Sequence, residues 1–220
     1  MMHARSVALT AVLLAVTGCA STGPQHSGFI QNEPVMQEEK DAEGTVHRYV
    51  SPKLSSGAYT KVLVEPVQLY PEPQPSEKVD AATLRQVRDY MDQAWRRELG
   101  KRVGLASGPG PGVARVRTAL TGVKAESASL KPYQYLPVAL VATAAAEAGG
   151  LRSKDVRLFV EVEVTDSVTG ERLAVAVREG TGEKIKGGSQ DKVTLQTVKP
   201  LVDQLAASGA TVLASSMQGR

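Results

Sequence analysis

The stretch VRLFVEVEVTDSVTGERLAVAV, residues 156–177, decides the fold. Valine or leucine occupies every second position of its first half, which is the period of a β-strand that buries one face. Asp166 is suited to open a type I turn, and Gly170 can take the positive φ that closes it. The return strand carries apolar residues at alternate positions: Leu173, Val175 and Val177. The pattern predicts an antiparallel hairpin with one core face of Val and Leu side chains.

The opposite face of this hairpin carries charges of both signs: Glu161, Glu163, Arg172 and Arg178. Two carboxylates two positions apart could serve as the acid and the base of a glycoside hydrolase. Opposite charges on neighbouring strands more commonly pair with each other across the sheet. We therefore interpret the four residues as surface candidates, with the glutamates as cross-strand partners of the arginines.

A strand, a helix and a second strand precede the hairpin. Residues 60–69 (TKVLVEPVQL) predict a strand that either lies at an edge or ends its regular pairing at Pro66. Residues 113–123 predict the second strand, with Arg115 and Arg117 on one face. Between them apolar side chains recur every three or four positions: Leu84, Val87, Met91, Trp95 and Leu99. This order predicts a right-handed parallel crossover with Trp95 as the main core anchor.

Two further helices are expected. The Ala-rich residues 137–150 predict one that packs against the sheet, and a final helix follows that Pro200 kinks or divides. Residues 211–220 are expected to fray. The fold class is therefore α+β: a mixed sheet of about four strands, made of the strand-helix-strand crossover and the antiparallel hairpin, with two or three packed helices in a single domain at 46–210.

An apolar run of ten residues, 7–16, follows a short basic segment without acidic residues. It is too short for a membrane-spanning helix, which needs about 20 residues, and it is typical of a secretory signal peptide at residues 1–18. The run ends in Val16-Thr17-Gly18-Cys19, which resembles the bacterial lipobox. The resemblance implies cleavage between Gly18 and Cys19, a diacylglyceryl thioether on the Cys19 sulfur and a third acyl chain on its amine.

Such a modification would hold the protein on a membrane, because two acyl chains already anchor a protein stably. In bacterial lipoproteins Asp after the cysteine is typical of inner-membrane retention, but Ala20 stands here. The resemblance therefore implies the periplasmic face of the outer membrane. Residues 19–45 are predicted as the lipidated cysteine and a flexible tether, since the stretch is largely polar. Phe29 and Ile30 are candidates for docking on the domain.

Composition argues against several classes of function. A formal net charge of +3 on 220 residues does not call for a nucleic acid partner. Cys19 is the only cysteine, which excludes intrachain disulfides, cysteine-ligated zinc and Cys-His catalysis. His26 and His47 lie in or beside the tether, which disfavours a Ser-His-Asp triad. GPGPG lacks the GK[ST] of a phosphate-binding loop. We predict no metal, no cofactor and no enzymatic activity.

Several short motifs lie along the chain in an order and spacing that resemble a known family. They are Ser27-Gly28-Phe29-Ile30, Tyr59-Thr60-Lys61-Val62, Glu65-Pro66-Val67, Val116-Arg117-Thr118-Ala119-Leu120-Thr121, Glu161-Val162-Glu163 and Asp166-Ser167-Val168-Thr169-Gly170-Glu171. The family is the bacterial lipoprotein family of the domain of unknown function 3313. It has no established activity, so the resemblance assigns no catalytic role to any residue.

Three functions remain open. An interaction or envelope-assembly module would bind an envelope protein or peptidoglycan, and an open strand edge or an exposed apolar patch would favour it. A lipid or small-molecule carrier would have a deep apolar cavity beneath residues 137–150. A carboxylate-based hydrolase would place Glu161, Glu163 or Asp166 in a cleft, with raised pKa values. We favour the interaction module, with its membrane contact made through Cys19.

Overall fold

The computed structural model describes residues 27–41, 44–72, 81–126, 141–142, 154–185 and 193–219. Within these residues one mixed sheet contains nine strands: β1 (Gln37–Asp41), β2 (Gly44–Val50), β3 (Lys61–Val64), β4 (Gln68–Leu69), β5 (Gly104–Leu105), β6 (Val113–Glu126), β7 (Val141–Ala142), β8 (Lys154–Asp166) and β9 (Arg172–Ile185). Two helices, α1 (Ala81–Gly100) and α2 (Leu195–Met217), and a short 3-10 turn at Leu54–Ser56 complete the fold. The predicted α+β class is confirmed.

The sheet is larger than the expected four strands. Its order is β1-β2-β9-β8-β6-β3-β5, and β4 and β7 also pair with β6. Two of the unexpected strands, β5 and β7, have only two residues each, which is too short for any hydrophobic period to show, and β4 is the last part of the strand predicted at 60–69. The strand β1 reads QEEKD and was assigned to the flexible tether because of its charge. It pairs with β2 through backbone hydrogen bonds, which do not depend on apolar side chains.

The predicted hairpin lies at the centre of the sheet as β8 and β9, which pair antiparallel. Its turn is the expected one: Gly170 donates its N–H to the Asp166 carbonyl at 3.0 Å and has a φ of 75°. The Asp166 carboxylate accepts hydrogen bonds from the backbone N–H groups of Val168 and Thr169 at 2.9 and 2.7 Å. These bonds fix the turn and therefore the register of the two strands.

The predicted single core face of this hairpin is wrong. Val175 and Val177 pair across from Glu163 and Glu161, so they lie on the face that was expected to be polar. The register shifts between the pairs Val164↔Ala174 and Thr165↔Arg172. This β-bulge leaves Leu173 as the extra residue, and the Leu173 side chain enters the main core.

The crossover from β3 through α1 to β6 is confirmed, since β3 and β6 pair parallel. Regular pairing of β3 ends at Val64, just before Pro66, and resumes at β4. The predicted apolar face of α1 is buried against the sheet and α2, and it includes Trp95 at 5% exposure. The alternation predicted for β6 is also confirmed: Val116, Thr118 and Leu120 are buried, whereas Arg115 and Arg117 are half-buried.

The helix α2 begins with a capping box between Thr194 and Thr197. It continues through Pro200, which lies in its second turn, and ends only at Met217. The expected fraying of residues 211–220 is therefore wrong, because Leu213 and Met217 pack into the core and hold the last turns. Of the predicted helix at 137–150, only Val141–Ala142 is described, and it is a strand parallel to β6. The remainder lies outside the described residues.

The two faces of the sheet carry separate apolar clusters. The larger one lies between the sheet and the two helices. The smaller one contains Phe29, Ile30, Ala119, Val175 and Val177. Residues 27–36, which we call the N-terminal strap, therefore cover the second face, and the expected docking of Phe29 and Ile30 is confirmed. No helix of the described part of the chain is long and apolar enough to cross a membrane.

Candidate functional site

The four candidate residues of the hairpin do not form one site. Glu161, Glu163 and Arg172 lie under the N-terminal strap. Arg178 pairs across from Val160 and therefore lies on the helix-covered face. Arg172 contacts Glu163 as predicted, but Arg178 forms its ion pair with Asp41 of β1. The parity of the register explains the error, because residues 178 and 163 point to opposite faces of the sheet.

A three-residue ionic cluster centres on Glu163, which is only 7% exposed. Its Oε2 accepts from Arg117 Nη1 at 2.8 Å, and its Oε1 accepts from Arg172 Nη2 at 2.9 Å. Arg172 also donates to the backbone carbonyls of Gln31 and Asn32 at 2.6 Å each. The cluster therefore ties the N-terminal strap to the sheet. The Arg117 guanidinium lies 4.8 Å above the centroid of the Phe29 ring, which adds a cation–π contact.

A second carboxylate, Glu161, is 1% exposed on the same face. Its Oε1 accepts from the backbone N–H of Ser27 at 3.2 Å, and its Oε2 has no hydrogen-bond partner within the described residues. Glu33 of the strap faces it. Burial, which is the larger cause, and the charge of Glu161 together raise the pKa of Glu33 to about 7, although Arg172 opposes the shift. The glutamates are thus covered rather than open to a cleft, which favours a structural role over hydrolysis.

The raised pKa of Glu33 predicts a pH dependence of stability. In the unfolded chain this group titrates near its ordinary value of 4.5, and in the folded chain near 7. The folded state therefore holds the proton more tightly. Its contribution to stability is fully present below pH 4.5 and is lost as the pH rises through about 7. We expect Glu33→Gln to be more stable than wild type at about pH 8 but not at about pH 4.5, as measured by urea denaturation.

Two other carboxyl groups have shifted pKa values and affect the stability of the fold in a separate, lower pH range. Hydrogen bonds from Lys101 and Arg102 lower the pKa of Glu98 to about 2, and the Thr169 backbone N–H does the same for Asp166. Their contributions are present above the unfolded pKa values and are lost as the pH falls toward 2.

A wild-type advantage over Glu33→Gln that grows between pH 4.5 and 7 would contradict the assignment of Glu33.

The basic end of α1 is engaged within the protein. Glu98, which is 8% exposed, accepts from Lys101 Nζ at 2.7 Å and from Arg102 Nη1 at 3.0 Å. Arg97 pairs with Glu98 and also with Asp203 of α2, at 2.7 Å. Arg96 pairs with Asp92 at 2.8 Å. These side chains therefore form ion pairs within the end of α1 and with α2. Because the cations are already paired, this cluster is not favoured as a binding site for an anionic partner.

An apolar cavity of about 360 Å³ lies on the helix-covered face, between α2 and the strands β2, β9 and β8. Its walls include Met91, Trp95, Val162, Ala176, Leu205 and Val212. Two ion pairs also line it: Arg48 contacts Glu39 at 2.7 Å, and Arg178 contacts Asp41. A carrier was expected to have its cavity beneath residues 137–150; of these only Val141–Ala142 is described, and neither residue lines this cavity. The sequence feature that could have indicated this cavity is the presence of alanine at two alternate positions of β9, Ala174 and Ala176, because small side chains leave space.

A more polar groove of about 660 Å³ adjoins this cavity. The two spaces share five lining residues: Glu39, Arg48, Val50, Val212 and Ser216. The groove continues along the strap end and the last turns of α2, where its lining includes residues with hydroxyl and amide side chains: Gln37, Ser55, Thr211 and Ser215. No group of three or more His, Cys, Asp or Glu that could hold a metal ion occurs in the described ranges.

Comparison with known proteins gives a family and two bacterial relatives. The family model described as "Protein of unknown function (DUF3313)" matches residues 25–208. The uncharacterized lipoprotein YdcL of Escherichia coli K12 is 32% identical over 204 residues, which cover 91% of this chain and 91% of that protein. The same protein of Escherichia coli O157:H7 matches equally.

Likenesses to solved structures are weaker. The PelC dodecamer from Paraburkholderia phytofirmans has a TM-score of 0.35 and 14% identity, covering 74% of this chain and 97% of that one. A crystallised protein of Caulobacter crescentus CB15 described as a lipoprotein has a TM-score of 0.35 and 11% identity, covering 77% and 98%. Neither likeness supports an argument about assembly or function.

Proposed function

The chain belongs to the DUF3313 family, and from this premise we propose that it is an outer-membrane-anchored periplasmic lipoprotein that acts as an interaction or envelope-assembly module. The lipobox-like ending at Gly18 and Cys19 supports the anchor, and so does the lipoprotein relative. Cys19 lies outside the described residues. The proposed partner is a protein of the envelope, with peptidoglycan as the alternative, and we expect no nucleic acid partner.

The observation that carries the interaction role is the edge strand β1. Within the described residues β1 pairs with β2 on one side only, and four of its five residues are exposed. An edge of this kind offers backbone N–H and C=O groups to an added strand. Four of its five side chains are charged, as in edges that resist self-association. A partner strand must therefore fit beside the charged side chains of this edge, among them Glu38 and Lys40, which restricts the choice of partner.

The anchor has a direct test. Radiolabelled palmitate should enter the wild-type protein in growing cells and be absent from Cys19→Ser, because the variant lacks the sulfur that carries the diacylglyceryl group. Membrane fractionation should then place the wild type with the outer membrane. Equal labelling of both proteins, or a wild type recovered free of lipid, would overturn the anchor.

The interaction role is tested by in-cell crosslinking and pull-down, with Glu38→Pro and Glu39→Pro as paired variants. Backbone N–H groups of an antiparallel edge alternate between the neighbouring strand and solvent. Proline at one of the two positions therefore removes only an outward donor, whereas at the other it breaks the pairing with β2. We expect the variant that keeps wild-type stability to lose an envelope protein that the wild type retains.

Two results would count against this function. If the wild type enriches no envelope protein over Cys19→Ser, the interaction module loses its support. If it enriches one that both proline variants retain, the edge of β1 is not the contact. Binding to isolated peptidoglycan sacculi without any protein partner would favour the alternative.

A further inference from the structure

We propose that the apolar cavity and the adjoining groove together bind a single-chain amphiphile with an anionic head, its tail against Trp95 and its head beside Arg48. The proposal goes beyond the interaction role and does not depend on strand addition at β1. It concerns the face of the sheet that lies under α2.

The cavity has the size and lining of a ligand site. Its volume of about 360 Å³ falls within the range of small-molecule pockets, about 300–1,000 Å³. Its inner walls come from apolar side chains of both helices and of the sheet, among them Met91, Trp95, Val160 and Leu205. Apolar walls of this kind accept apolar molecules, and the two ion pairs lie at the edge of the cavity formed by β1 and β2. A hydrocarbon chain is therefore the chemistry that fits this space.

The groove supplies the place for a polar head. It shares Val50, Val212 and Ser216 with the cavity, so a molecule can extend from one space into the other. The lining changes along this path from valines and leucines to hydroxyl groups, such as those of Ser55 and Thr211. A molecule that is apolar at one end and polar at the other matches this change.

Arg48 stands where the two spaces meet. Its Nε and Nη2 atoms both contact Glu39 Oε1, at 2.7 Å. These contacts use only part of the five N–H groups of the guanidinium, and the side chain is 33% exposed. Carboxylate and phosphate oxygens bind such a guanidinium through paired hydrogen bonds. An anionic head can therefore join or replace Glu39 on Arg48.

The test uses Trp95, which is the only tryptophan of the chain. The full chain carrying Cys19→Ser, which cannot take up a covalent acyl chain at that position, is titrated with terminally brominated dodecanoate below its micelle concentration. Bromine quenches tryptophan emission at short range, so a tail in the cavity reports directly on Trp95. We expect quenching that saturates at one molecule per chain, and an affinity that falls about fourfold for each methylene removed from the tail.

Four further variants locate the site. Ala176→Leu fills the cavity, and Val212→Glu places a charge at the half-exposed boundary between the two spaces. Each should raise Kd at least tenfold. Arg48→Gln should weaken dodecanoate and dodecyl phosphate but leave monododecanoylglycerol, which has a neutral head, unchanged. Ala82→Leu, an exposed alanine of α1 that does not line the cavity, is the control and should bind like the parent chain.

Circular dichroism confirms which variants fold. Non-saturating quenching in the parent chain, or wild-type affinity in both folded variants Ala176→Leu and Val212→Glu, would overturn the site. An Arg48→Gln chain that binds both anionic probes like the parent would overturn the head position. A preference between dodecanoate and dodecyl phosphate distinguishes a fatty acid from a phosphorylated single-chain lipid as the source of the head.

Discussion

Trp95→Ala is expected to lower the free energy of unfolding by about 3–5 kcal/mol. The Trp95 side chain is 5% exposed and packs in the main core between the sheet and the two helices. Its ring lies directly against the backbone of α2, where a Cβ built on Gly209 would come within 2.5 Å of Cη2. Removal of the ring would enlarge the existing cavity, and the rigid sheet and helices would close the space only in part. Urea denaturation followed by circular dichroism measures the change.

A double-mutant cycle with Gly209→Leu separates this packing from other effects of the tryptophan. In the wild-type background the leucine must collide with the Trp95 ring, and we expect a loss of about 1–3 kcal/mol. In the Trp95→Ala background the same leucine fills the vacated space and removes a glycine from a helix interior, which itself favours the helix by about 1 kcal/mol. The effect of Gly209→Leu should therefore change sign. Equal losses in both backgrounds would show that the ring and Gly209 do not pack as described.

The parts of the fold that the sequence predicted well are those where side chains alone decide the structure. The apolar period of α1 correctly identified its buried residues, because a long amphipathic helix has only one face that can meet the core. The Asp166 to Gly170 turn was also correct, since its residues favour that backbone conformation wherever they occur. Both features depend on neighbours within a few positions of the chain.

The errors arise where distant segments decide the outcome. Val175 and Val177 were assigned to the main core because nothing in the hairpin indicates that the N-terminal strap covers its second face. The bulge at Leu173 then changes which residues share a face, and no local signal marks it. Because of this bulge, Arg172 lies on the same face as Glu163, and the predicted pair forms. Arg178 lies on the opposite face, so the glutamate predicted as its partner is out of reach.

The cavity under α2 was not predicted, for a related reason. Its volume depends on how far α2 stands from Ala174 and Ala176, which is a distance between elements that are separate in the sequence. The sequence shows small side chains in β9 but not what lies opposite them. A search for chains in which small residues alternate on one face of a central strand would identify similar spaces in other proteins of this architecture.

Glu163→Ala is expected to lower the free energy of unfolding by about 3 kcal/mol. The substitution removes the carboxylate between Arg117 and Arg172; Arg117 keeps a longer contact with Glu65, at 3.8 Å, and Arg172 keeps its bonds to two backbone carbonyls. Breaking a buried ion pair by removing one partner costs about 3–5 kcal/mol. We expect the lower end of that range because the arginine side chains are 34% and 26% exposed and gain some solvation. Chemical denaturation near neutral pH measures the loss.

The matched control is Glu171→Ala, which removes a glutamate from an ion pair of nearly the same length. Lys53 contacts Glu171 at 2.7 Å, and Arg117 contacts Glu163 at 2.8 Å, but the Glu171 side chain is 47% exposed and that of Glu163 only 9%. Exposed pairs of this kind contribute about 0–1 kcal/mol. Burial rather than distance should therefore produce the difference. Similar losses in the two variants would mean that the strap does not exclude water from Glu163. Faster hydrogen exchange at residues 27–36 in Glu163→Ala alone would show that the cluster holds the strap on the sheet.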